Sequence, residues 1–156
     1  MPAADLDAAL GGSRRALVDS STLIAFHEGQ EEAHPLARHL LRRIEVDGDP
    51  LGGYYSVVSA AELLVRPIRA GAGEVGFMHA FLTSFPHLTV LPVDLTVAVQ
   101  AATIRATTGL RLPDAIVVAS GLLAGCEAIV TNDEQWHRRL APHFRQFRWI
   151  YLRSYL

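Results

Sequence analysis

The 156-residue sequence contains no lysine, so all 14 of its permanent side-chain cations are arginines. That absence removes several mechanisms. P-loop phosphate binding, Schiff-base chemistry and lysine-dependent phospho-receivers all lack their key residue. The arginines that remain suit bidentate contact with phosphate. Cysteine is almost missing as well: Cys126 stands alone and cannot close an internal disulfide. It reads as a small buried apolar residue rather than a nucleophile, and its solitude fits a reducing, cytoplasmic setting. No apolar run reaches the roughly 18 residues of a membrane span. The opening MPAADLDAALGG has no basic region followed by an apolar one, which speaks against a secretion signal. The net charge of −2 gives no basic footprint for nucleic acid. Seven histidines include no pair at i, i+4 and no HExxH, which argues against zinc, and no G-x-S-x-G elbow offers a serine nucleophile.

What is present is an alternation of short apolar runs and helical patterns. Residues 1–13 are small and aperiodic and read as a loose N-terminal tail, leaving 14–156 as a single domain. Ala16-Leu17-Val18 reads as a buried strand. A helix follows through Phe26, and a second covers about 31–46, with Leu36, Leu40, Leu41 and Ile44 on one side. Tyr54 to Val58 reads as a strand, with Ser59 opening the next helix. Further helices are expected over about 74–85, 95–108 and 112–124, and a short one after Asp133. Further strands are expected over 88–91, 128–130 and 147–152, the last at an edge. Strands alternating with helices imply βαβ units, hence an α/β fold with a mostly parallel sheet of about five strands.

Asp19, Glu62, Asp114 and Asp133 each stand where a strand gives way to a helix, in LVDSST, SAAELL, LPDAIVVAS and VTNDEQW. Each has an ordinary explanation alone. Ser59-Ala60-Ala61-Glu62 is a capping box, Asp114 favours the macrodipole of its helix, and Asp19 and Asp133 can cap theirs. Together they say more, because Ser20, Ser21, Thr131 and Asn132 could cap without any acid. A parallel sheet gathers its strand-to-helix turns along one edge, where open sheets of this kind place ligands. Four carboxylates there would repel one another unless a divalent cation sat between them. Hard oxygen donors in this number suit Mg²⁺ or Mn²⁺.

These four stretches, in this order, resemble the PIN-domain family, and most closely its VapC-type toxin ribonucleases, over roughly residues 16–152. The resemblance implies a three-layer sandwich and an endoribonuclease dependent on Mg²⁺ or Mn²⁺. It implies catalytic and metal-binding roles for Asp19, Glu62, Asp114 and Asp133, with Ser21 and Thr131 supporting them and Asn132 in the same turn. It also implies a toxin with RNA as substrate, a cognate antitoxin as partner, and a homodimer. The alternative is a PIN-like module that binds RNA or protein without cutting. The segment LLVRPIRAGAG after Glu62 departs from the family pattern, and the stretch before Asp19 is longer than usual.

Some features point elsewhere. Gly71-Ala72-Gly73-Glu74-Val75-Gly76 imitates a dinucleotide fingerprint, with Asp94 about 20 residues on. The Arg66-Pro67 before it is poor material for a central strand, so a turn between helices is the better reading. His27 and His137 lie near the expected site edge. Arg138, Arg139, Arg145, Arg148 and Arg153, interleaved with Trp136, Trp149, Tyr151 and Tyr155, could grip single-stranded RNA or could be a solvated face. Arg38 and Arg42, one turn apart, could contact a partner protein.

Overall fold

The apolar run before Asp19 is the central strand of a five-stranded sheet in the computed structural model, which describes residues 1–156. This strand, β1 (Arg15–Val18), lies between β2 (Gly52–Ser56) and β4 (Ala128–Thr131). The edges are β3 (Leu88–Leu91), beside β2, and β5 (Arg148–Tyr151), beside β4. All four pairings are parallel, as short apolar strands joined by helices require. Successive residues of a strand point to opposite faces, so each inner strand feeds two cores. Ala16 and Val18 of β1 join Ala128 and Val130 of β4 on one face. Leu17 and Ile129 lie on the other.

Helices cover both faces, giving three layers. On the first lie α1 (Pro2–Leu10), α2 (Ser20–His27), α3 (His34–Glu45), α4 (Val57–Ala70) and α5 (Ala72–Ser84), whose buried residues share one apolar cluster. On the second lie α6 (Leu95–Thr108), α7 (Leu112–Leu123) and α8 (Glu134–Leu140). Gly121 lets α7 approach the central strand closely: a Cβ there would stand 2.8 Å from Leu17 Cδ2. No helix is long and apolar enough to cross a membrane.

Two expectations need correction. Residues 1–13 are not a loose tail: Pro2–Leu10 is helical, and Leu6 and Leu10 are 0% and 1% exposed in the core. Two leucines four residues apart supply a buried stripe, and Asp7 ties the helix down through Arg43 Nη1 at 3.0 Å and His39 at 2.9 Å. The helix bearing Glu62 starts at Val57, not Ser59. Ser56 is its cap, accepting from the Val58 N–H at 3.2 Å, and β2 correspondingly spans Gly52–Ser56. The capping box is therefore not made, and Glu62 is released for other contacts. The glycine fingerprint is a hinge between α4 and α5, with Gly71 at φ 139°.

Candidate active site

The strand order runs outward in opposite directions from β1, so the crevice at the carboxyl ends of β1 and β4 is the topological switch point. Asp19 follows β1, and Asp133 follows β4 by two residues. Glu62 stands in the second turn of α4 and Asp114 in the first turn of α7. All four acids line one cavity of about 590 Å³, with Ser20, Ser21, Arg111, Trp136 and Arg139 among its other walls. Asp19 and Asp114 are buried at its floor, 7% exposed each, while Glu62 and Asp133 stand exposed at its rim.

The buried Asp19 carboxylate is anchored through one oxygen. Its Oδ2 accepts from Ser21 Oγ at 2.7 Å and from Thr131 Oγ1 at 3.1 Å. The Ser21 hydroxyl also accepts from the Asn132 N–H at 2.8 Å, and Thr131 Oγ1 accepts from the Asp133 N–H at 3.1 Å. These bonds stitch the turn after β1 to the turn after β4. Asn132 contributes only its backbone; its buried Oδ1 has no partner. Burial pushes the Asp19 carboxyl above its ordinary range. The Ser21 and Thr131 bonds oppose that rise, and the charge of Glu62 adds to it.

Glu62 accepts a short hydrogen bond from Ser20 Oγ through Oε2. Asp133 caps α8, its Oδ1 accepting from the Trp136 N–H at 2.9 Å. Asp114 differs, because both of its oxygens are engaged. Trp136 Nε1 donates to Oδ1 at 3.0 Å. Arg139 Nη2 donates to Oδ2 at 2.8 Å, and Arg111 Nε approaches the same oxygen at 3.4 Å. These partners of Asp114 were missed from sequence, although Trp136 and Arg139 stand three apart on one helix and Arg111 three before Asp114, spacings that share a face. Ser20 was read only as a cap.

His27 and His137 fall outside the cavity. His27 packs edge-on to Phe81 with ring centroids 4.4 Å apart, and His137 stacks on Tyr151 at 6.0 Å. Three of the C-terminal arginines are paired with acids. Arg139 serves Asp114, Arg138 pairs with Glu134 at 2.7 Å, and Arg153 faces Glu31 and Glu32. Trp136 is buried, and Trp149 Nε1 donates to the Phe144 carbonyl. Cys126 is buried, and desolvation pushes its thiol up to about 12, which makes it inert as a nucleophile.

The donor set suits a hard divalent cation: it is all oxygen, and no histidine or cysteine lines the cavity. Asp19 Oδ1, Glu62 Oε1 and Asp133 Oδ2 carry no hydrogen bond, so each of these acids holds one oxygen to the scaffold and offers the other. As the side chains stand, no three of the acids converge closely enough to share one ion. The chemistry of the donors fits such an ion.

A parallel α/β sandwich with acids gathered at its switch point defines a PIN-like architecture. The chain belongs to the PIN-domain family, whose model matches residues 16–141. Solved structures share the fold. A toxin–antitoxin complex from Klebsiella pneumoniae contains a chain 17% identical with a TM-score of 0.63, covering 88% of this chain and 97% of that one. The Mycobacterium tuberculosis toxin VapC20, described as cleaving the sarcin–ricin loop, is 18% identical with a TM-score of 0.62, covering 79% and 93%. A chain of the FitAcB structure from Neisseria gonorrhoeae is 18% identical with a TM-score of 0.61, covering 88% and 97%. No curated protein sequence matches the chain.

Proposed function

We propose that this PIN-domain protein is a Mg²⁺- or Mn²⁺-dependent endoribonuclease and the toxin of a VapBC-type pair. The observation that carries this reading is the half-committed state of three acids: Asp19, Glu62 and Asp133 line one cavity with one carboxylate oxygen fixed and one free. A set of caps alone has no reason to gather around one cavity. Asp19, Asp114 and Asp133 would hold the ion, with Glu62 as a further ligand or as the base behind the attacking water. The bound ion supplies a water of lowered pKa and neutralises charge developing on the phosphate and the leaving oxygen. The chain's own residues set the geometry. Ser21 and Thr131 fix the Asp19 carboxylate, and Ser20 holds one oxygen of Glu62, whose other oxygen would be left to ligate or to act as a base. A bound cation also reverses the local field, which lets a weakly acidic protein accept an anionic substrate.

The Klebsiella structure is named a toxin–antitoxin complex, which supports a cognate antitoxin for this chain too. Two sets of exposed apolar residues are available for an antitoxin and a second copy. Ile68 and Phe77 lie on α4 and α5, and Leu95 and Val99 on α6. The alternative, a PIN-like module that binds without cutting, rests on one observation, that no three acids now converge.

Activity on RNA separates the two. EDTA abolishes cleavage and added Mn²⁺ restores it; chelator-resistant cleavage would refute the mechanism. Asp19→Asn lowers the rate more than about a hundredfold. It leaves the circular dichroism spectrum unchanged, since asparagine also caps a helix.

A further inference from the structure

Asp114 is the one acid of the site with no free oxygen. Buried, it meets the Trp136 indole on one side and the Arg139 guanidinium on the other. A buried carboxylate needs a compensating positive charge, and a guanidinium is charged at every accessible pH. We propose that Arg139 is a resident counter-cation of Asp114, which a divalent ion must displace before Asp114 can ligate it. This deepens the metal reading above and rests on it.

The surroundings of the pair favour exchange over a permanent brace. The Trp136 indole is locked, since that side chain is 6% exposed and also packs against Trp149 with centroids 5.7 Å apart. It fixes the Asp114 carboxylate through Oδ1 in either state. Arg139, by contrast, has a side chain 42% exposed, and Arg111, more weakly placed at 3.4 Å, one 75% exposed. Both guanidiniums are already partly hydrated and can withdraw into water, where their charge is fully solvated. Nothing else holds Arg139: its one hydrogen bond is to Asp114. The Asp114 carboxylate is compensated before and after the exchange, so it never stands as a bare buried charge. A cation already stands on the Asp114 oxygen that an ion would use.

Calorimetric titration of the full chain with Mn²⁺ tests the exchange without any cleavage assay. Arg139→Gln removes the competing charge and tightens Mn²⁺ binding by about three- to tenfold, the range for a partly exposed pair. Arg139→Lys, which keeps a cation there, stays closer to wild type. A second readout is the Trp136 indole N–H resonance. It moves on Arg139→Gln and again on Mg²⁺ addition, while the Trp149 indole, bonded to Phe144, stays still. Equal or weaker Mn²⁺ binding by a folded Arg139→Gln overturns the exchange alone. Absence of binding by wild type and variant alike overturns the metal reading and the exchange with it. Should Arg139→Gln fail to fold, Arg111→Gln carries the test: a smaller tightening supports the exchange, and no change refutes it.

Discussion

His27 closes α2 inside a cage of rings, with Phe26, Phe77 and Phe81 around it and its Nε2 buried without a partner. Burial holds its pKa below the ordinary histidine value. The unfolded chain binds a proton near pH 6.5 and the native state resists it, so the native state is penalised as pH falls below that value. Above it this contribution is constant. Phenylalanine at 27 fits the cage and has nothing to protonate. Urea midpoints at about pH 7.5 and 5.5 should show His27→Phe gaining on wild type as the solution is acidified; a constant difference would contradict the assignment. At this scale the sequence was informative about anchors and blind to partners. Ser21 and Thr131 stand out only through the family resemblance, while Asp19 could be read because it stands where an apolar strand gives way to a helix. The hold of Arg139 on Asp114 could not, because a long side chain reaches in whichever direction tertiary packing leaves open.

The helix Pro2–Leu10 illustrates what an element needs to be visible. PAADLDAAL offers only Leu6 and Leu10 as large apolar residues, too few for a period to emerge from its alanines. Its stability comes from docking against β5, α3 and the C-terminal turn rather than from its own pattern. Leu6→Ala should therefore cost about 2–5 kcal/mol in urea unfolding, the range for a fully buried leucine. A loss near zero would return the segment to the status of a tail. The start of α4 fails in the opposite way. SAAE is a strong capping signal, but Ser56 lies one turn earlier and captures the helix. Ser59 is left buried with an unpaired hydroxyl, and Glu62 turns to Ser20. A local rule is thus broken at the residue the cavity uses, which is where such breaks are expected. The hinge at Gly71 and the long helix Leu95–Thr108 were legible because glycine and an uninterrupted period are unambiguous.

For the molecule as a whole, alternating apolar runs sufficed to give the layer order, since parallel strands buried on both faces leave few alternatives. What surrounds the domain was less accessible. Ile68, Phe77, Leu95 and Val99 are 60–80% exposed, and apolar groups on this scale mark contact surfaces when they gather. Light scattering behind a sizing column should give twice the 17.0 kDa of one chain; a monomer at micromolar concentration would remove the homodimer from the proposed function. The hydrogen bond from Thr131 to Asp19 spans 112 residues, and it joins strands whose pairing needs both ends of the chain. A polypeptide emerging from the ribosome as far as α6 already has Asp19 and Glu62, yet lacks β4 and the two remaining carboxylates. The cavity therefore closes only after β4 and the turn that carries Asp133 have been made, which ties completion of the site to the folding of the whole sheet.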